Sequence, residues 1–326
     1  MTAAAAIDLP YDVVCDSSDR EAWVRHRATG VGASEIAAVL GESHWESAIG
    51  VYARKVGVQT DDEAQTEAQF WGLKLEKIIA EVYSERANRP CRWSGIMLRS
   101  KAHPWATATL DAETSEKHGG AWWPFDSKTA TVFKTGDWSD GPPREYYLQA
   151  QQQMLVTGAR KATIACLLGG QRLVWCDIER DDVEIRRIVH AGRIFWEQCV
   201  QARVQPRPDG SESSKRALAA LYPKGEPKTV QLDSHFGDLY DELSELKKTA
   251  KTIEARIAQI ENDFKAALGT AETGVLPNLN VVTWKERRGS IDYKKAAEDA
   301  GLTVAQFEKY RRKNTRTFLL HDRKQD

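Results

Sequence analysis

No two of the five cysteines in this 326-residue sequence are spaced as a CxxC pair: Cys15, Cys91, Cys166, Cys176 and Cys199 are scattered. Zinc ribbons and iron–sulfur clusters need clustered thiolates, so both are excluded. An odd, dispersed set suits reduced thiols better than a disulfide framework. No apolar run approaches the roughly 18 residues of a membrane span. Met1 to Pro10 lacks the basic stretch that opens a signal peptide. The expected location is therefore cytoplasmic, with no membrane partner. No GxxxxGK[ST] loop is present, so no ATP is expected.

Net charge is also small, at −1, so the whole chain is no electrostatic magnet for nucleic acid. Its distribution is uneven. From Trp284 to Asp326 there are 12 Lys or Arg against 7 Asp or Glu, a net of +5. A basic tail can hold phosphates while an acidic core holds a metal. The apolar share of 41% and charged share of 29% are those of a globular protein.

The periodicities predict an α+β (mixed α/β) domain with a central mixed sheet flanked by helices. Helical patterns run over residues 19–27, 34–40 (with Ser34 as its cap), 69–87, 145–157 and 182–202. Strand patterns run over 96–99, 106–111, 122–129, 161–168 and 172–179. His118-Gly119-Gly120 and Gly169-Gly170 are hairpin signals. The stripe Phe70, Leu73, Ile78, Val82 is expected to face the core.

Four segments are expected: a core over 1–204, a linker over 205–228, a coiled coil or long helix over 229–268, and a small basic module over 269–326. The linker rests on Gln205-Pro206-Arg207-Pro208-Asp209-Gly210. The coiled coil rests on apolar residues from Leu232 to Ala267 at 4-3-4-3 spacing. Strands at 280–284 and 315–320 are expected to pair around a helix at 293–313.

Phosphodiester hydrolysis needs carboxylates for a divalent cation, an activated water, and positive charge at the pentacoordinate phosphate. Asp111 followed by Asp126-Ser127-Lys128 has this form. In a strand, Asp126 and Lys128 project to one face, and the Ser127 carbonyl can still reach a metal. Glu76 falls on or near an apolar stripe, which is costly unless the carboxylate is paired or metal-bound. Gln149 and Gln153 put two amides on one helical face, able to orient a water. Arg27, upstream of a glycine-rich turn into Ser34, suits a terminal phosphate.

In order and spacing, these segments resemble the lambda-exonuclease and YqaJ family of phage recombinases, within the PD-(D/E)XK nuclease superfamily. The residues carrying the resemblance are Trp23, Arg27, Gly30 to Ile36, Trp71-Gly72 with Glu76, Asp111, Asp126-Ser127-Lys128, and Tyr146 with Gln149 and Met154. The resemblance implies a restriction-endonuclease-like core. It also implies a Mg2+-dependent exonuclease (Mn2+ substituting) that digests linear duplex DNA 5′ to 3′ and leaves 3′ tails for a single-strand annealing protein. Glu76, Asp111, Asp126 and the Ser127 carbonyl would bind metal, Lys128 would serve the water, and Gln149 would support the site. Arg27 and Ser34 would hold the 5′-phosphate. A homo-oligomer, a trimer, and a bacterial host cytoplasm for a phage-encoded chain are implied as well. Two departures stand out: Asp126 replaces the more usual Glu, and the segments after residue 205 lie outside the resemblance. An endonuclease or repair nuclease on the same core, and a non-catalytic DNA-binding scaffold, are the competing readings.

Overall fold

The computed structural model describes residues 9–58, 66–311 and 315–320, and divides into two units, Met1–Lys224 with Arg316–Asp326, and Gly225–Thr315. The first unit is built on a seven-stranded mixed sheet. Strand β1 (Tyr11–Asp16) is followed by helix α1 (Arg20–Arg27) and the short strand β2 (Val31–Gly32). Helices α2 (Ile36–Val39), α3 (Ala48–Lys55) and α4 (Glu67–Ala87) come next. Strands β3 (Cys91–Ser100), β4 (Ala106–Thr114) and β5 (Trp123–Ala130) lead into helix α5 (Arg144–Thr157). Strands β6 (Lys161–Leu168) and β7 (Arg172–Glu179), then helices α6 (Asp182–Ile194) and α7 (Glu212–Leu221), complete it. The sheet order is β1-β3-β4-β5-β6-β7, with β2 parallel to β4. Only β5 and β6 are parallel among the main neighbours. The central mixed sheet flanked by helices is the architecture expected from the periodicities.

Alternation along the strands sends neighbours to opposite faces. Ile164 packs with Ala150 and Met154 of α5, whereas Ala165 packs with Ile79, Ala80 and Tyr83 of α4. The buried side of α4 therefore differs from the expected stripe. Phe70, Leu73 and Ile78 are exposed. Glu76 instead lies on the line of Ile79, Ala80 and Tyr83, one helical turn before the first two and two turns before the third.

One detail of the sheet positions the site. β2 pairs with β4 at Ala106 and Thr107, and β5 pairs with the same edge of β4 only from Ala112 to Thr114. Between these ladders β4 and β5 diverge, so the edge from Ala108 to Asp111 has no strand neighbour on that side among the described residues. Helix α5 closes the gap: Gln152 Nε2 donates to the carbonyls of Val31 (2.8 Å) and Thr107 (3.1 Å). Helix α5 ends at Gly158, whose φ of 74° places it in the left-handed region a C-terminal cap requires.

Three expectations change. The linker over 205–228 instead carries α7, which packs on α3 with Ala217 and Ser214 buried. Ser34 is no helix cap. It lies inside the 3-10 turn Ala33–Glu35, and the Glu35 carboxylate accepts the Gly32 N–H at 2.8 Å. In the second unit, helix α8 (His235–Leu268) is followed by strands β8 (Thr273–Val275) and β9 (Val281–Thr283). These two pair with each other, so β9 has no strand partner in 315–320, which is not a strand. The helix expected over 293–313 is α9 (Tyr293–Asp299) followed by a 3-10 turn, Val304–Tyr310; residues 312–314 lie outside the described residues.

Gly192 of α6 lies against the buried indole of Trp105. A Cβ there would stand 2.2 Å from the Trp105 ring. Gly192→Ala is expected to cost roughly 1–3 kcal/mol through overpacking. Gly237→Ala, where a Cβ meets nothing within 4 Å, is the control. Denaturant unfolding of both variants checks this, and an unperturbed Gly192→Ala midpoint would contradict it.

Candidate active site

The fork between β4 and β5 brings the predicted acidic residues around Ser127. The Ser127 N–H has no β4 partner at the fork and donates to Asp111 Oδ2 at 2.8 Å. Its hydroxyl turns to the α4 face and donates to the Glu76 carbonyl at 3.0 Å. The one residue thus ties β4 and α4 to β5. Its side chain was not legible as a linker, since only its carbonyl had a role in the sequence reading.

Asp126 turns to the α5 face and is 2% exposed. Its Oδ1 accepts from Gln149 Nε2 at 2.8 Å and Gln153 Nε2 at 3.0 Å. The two amides on one helical face therefore hold a carboxylate. The other oxygen, Oδ2, is ion-paired with Lys128 Nζ and has no further partner among the described residues. Lys128 lies two residues on, on the same strand face, and its ammonium sits 5.1 Å from the Tyr146 ring centre. Tyr146 is a floor for this cation.

The electrostatics follow from burial and crowding. Asp111 is pushed well above the usual carboxylate range, first by burial and then by the charges of Asp126 and Glu76. Glu76 is pushed up to about 7 by burial, with Lys128 opposing and Asp126 adding. Burial alone would lower Lys128, but the carboxylates of Asp126 and Asp111 outweigh it and hold the ammonium above its ordinary range. Two carboxyl groups raised by burial and neighbouring charge beside one amine favour a functional over a purely structural placement.

The donor set is of hard oxygens, which suits Mg2+ or Mn2+. Among the described residues, no three acidic, histidine or cysteine side chains lie close enough together to hold a metal ion as placed. The Lys128 ammonium neutralises Asp126 instead. The buried acceptor Gln153 Oε1 has no hydrogen-bond donor among the described residues, and Asp126 Oδ2 has only Lys128, which fits a cation or its water at this place.

Arg27 and Ser34 meet as expected: Arg27 Nη2 is 3.4 Å from Ser34 Oγ, and Ser34 is exposed. The Arg27 guanidinium lies over Trp23, 4.8 Å from its ring centre. Trp23 Nε1 donates to Thr109 Oγ1 at 3.2 Å, and Thr109 is two residues before Asp111 on β4. Side chains two apart share a strand face, so the Arg27 pair is coupled to the acidic cluster through one indole.

Behind Arg27 lies a buried charge network that the sequence reading missed. Glu35 Oε1 accepts from Arg27 (3.1 Å) and Arg54 (3.1 Å), and Oε2 pairs with Lys55 at 2.7 Å. The Glu35 and Lys55 side chains are 1% and 2% exposed. Burial opposes the Glu35 charge, but Lys55, Arg27 and Arg54 outweigh it and hold the carboxyl far below its usual range. Glu35 sits in the segment Ser34-Glu35-Ile36, where only a buried acid within an apolar run could have signalled it.

Comparisons with known proteins found the following similarities. The YqaJ-like viral recombinase domain matches residues 22–160. Uncharacterized protein YqaJ of Bacillus subtilis (strain 168) is 28% identical over 270 residues, covering 82% of this chain and 83% of that protein. The alkaline exonuclease LHK-Exo from Laribacter hongkongensis is similar over 62% of this chain and 100% of its own, at 19% identity and a TM-score of 0.42. A phage related exonuclease from Haemophilus somnus 129PT is similar over 56% of this chain and 99% of its own, at 13% identity and a TM-score of 0.41. Arg27, Ser34, Glu76, Asp111, Asp126, Ser127, Lys128, Gln149 and Gln153 all fall within residues 22–160, the segment that is similar to the YqaJ-like viral recombinase domain.

Proposed function

We propose that this protein is a divalent-metal-dependent deoxyribonuclease that degrades linear duplex DNA from 5′-phosphorylated ends and leaves 3′ single strands for recombination by annealing. The observation that carries this reading is the junction at Ser127, which ties Asp111, the Asp126–Lys128 pair and the backbone of Glu76 to one fork of the sheet. Asp111, Asp126, Glu76 and the Ser127 carbonyl would hold the cation, with Mg2+ the metal best matched to these oxygens. When bound, it supplies charge to stabilise the pentacoordinate phosphate. Gln149 and Gln153 fix Asp126 by donating two hydrogen bonds to one of its oxygens, while the other faces Lys128. Lys128 is a cation placed to serve the attacking water or the scissile phosphate. Arg27 and Ser34 would take the terminal 5′-phosphate, held in orientation by Glu35 and Trp23. A single-strand annealing protein would receive the 3′ tail, and homo-oligomerisation would keep the duplex engaged.

The test is digestion of duplexes labelled at either the 5′ or the 3′ end, with Mg2+ or with a chelator. Mononucleotide release from the 5′ end of linear duplex, abolished by chelator, is expected. Cutting of covalently closed circles would favour an endonuclease. Removing the 5′-phosphate is expected to slow digestion in the wild type and to matter less in Arg27→Ala.

Metal binding carries a pH signature. Glu76 holds a proton below about 7, and a metal must displace it. Affinity is therefore expected to rise with pH through about 7. The stability of the metal-free protein runs the other way. Its raised carboxyl binds more protons folded than unfolded, so this contribution is complete below the ordinary glutamate value of about 4.3 and is lost as pH rises through about 7. Titration calorimetry in buffers of different ionisation heat checks the metal arm, and denaturation of the metal-free protein across pH checks the other. A pH-independent affinity without proton release would contradict the assignment. Asp111→Asn is expected to abolish metal binding.

A further inference from the structure

Helix α8 runs 34 residues, about 51 Å at the α-helical rise, without one buried residue. Its apolar side is uncovered: Leu246, Ile253 and Ile257 are each at least half exposed, and Phe236, Leu239 and Ile260 more than two-fifths. These residues fall in a strict heptad. Phe236, Leu243, Ala250, Ile257 and Phe264 take one seam position, and Leu239, Leu246, Ile253, Ile260 and Ala267 the other. A stripe of this period asks for a second helix along its whole length.

The charges beside the seam say which helix and in which direction. The position just before the first seam residue carries Glu242 and Arg256; the one just after the second carries Lys247 and Glu261. In a parallel, in-register pair of identical helices, each flanking residue meets the one five places later on its partner. Glu242 then faces the partner's Lys247, and Arg256 faces the partner's Glu261. With both strands counted, that makes four attractive pairs and no repulsive one. An antiparallel pair that keeps the seam matched sets Glu242 against the partner's Asp263, twice, and offsets this with Lys247 against the partner's Glu254. No ion pair within the chain engages Glu242, Lys247 or Arg256 among the described residues, and Glu261 has only Lys265, at 3.5 Å. We propose that α8 is a self-recognition surface, a parallel in-register coiled coil whose partner is a second copy of this chain.

Charge exchange in the full chain tests this without touching the seam. One variant carries Glu242→Lys with Arg256→Glu, the other Lys247→Glu with Glu261→Lys. Each alone converts all four parallel pairs to repulsive ones, and mixing the two restores attraction in the heterodimer. Sedimentation equilibrium should show wild-type self-association, weakening by on the order of tenfold or more in each variant alone, and recovery in the equimolar mixture. Circular dichroism confirms that helix content is kept. An antiparallel coil would strengthen in the first variant, because Glu242→Lys would turn the repulsion from the partner's Asp263 into attraction. That outcome, a monomeric wild type, or one mass for all samples would overturn the proposal.

Discussion

Lys128→Ala is expected to slow nucleotide release by on the order of 10²-fold or more while metal binding persists. The ammonium rests on Asp126 Oδ2 above the Tyr146 ring, and the carboxylates of Asp126 and Asp111 hold it charged. Removing it takes away the cation that neutralises the fork. The remaining carboxyl groups then repel one another more, which favours a divalent cation rather than disfavours it. The two roles therefore separate. Lys128→Ala should bind Mn2+ at least as tightly as wild type yet turn over far more slowly. Asp111→Asn should lose both. Single-turnover digestion of a 5′-phosphorylated duplex and metal titration, run on the same preparations, check this. A Lys128→Ala enzyme with roughly wild-type turnover would remove the lysine from the chemistry.

Glu35→Ala is expected to cost about 3–5 kcal/mol of stability. Among the described residues it is the sole acidic partner of Lys55, whose side chain is 2% exposed, and it shares its second oxygen between Arg27 and Arg54. Truncation would leave a buried ammonium without a counter-charge. Replacing both members together, Glu35→Gln with Lys55→Met, should recover most of the loss, because the penalty belongs to the orphaned charge. The same carboxylate predicts acid sensitivity. Its folded-state pKa is depressed, so its contribution is complete above the ordinary carboxylate range, about 4.3, and is lost as pH falls below it. Chemical denaturation of the two variants at neutral pH, and of wild type down a pH series, tests both. A Glu35→Ala protein within about 1 kcal/mol of wild type would show that Lys55 finds another partner or solvent. Arg27 loses its orientation in the same variant, so the proposed discrimination between 5′-phosphorylated and dephosphorylated ends is expected to weaken too.

The chain determined its own chemistry locally. Asp126 and Lys128 share a strand face because strands alternate, and Gln149 and Gln153 share a helix face because helices repeat every 3.6 residues. Both relations hold within one element, so a linear sequence displays them. The hairpin glycines and the heptad of α8 were legible for the same reason. Which face of α4 is buried was not, since Phe70, Leu73 and Ile78 have the right period and still face solvent. The sheet beneath selects Ile79, Ala80 and Tyr83, and periodicity cannot choose between two apolar stripes on one helix. The Glu35 network was hidden because its four members come from three separate segments. Only the tertiary structure decided that β4 and β5 part where they do. That fork frees the Ser127 N–H for Asp111, a bond between strands that no spacing along the chain encodes.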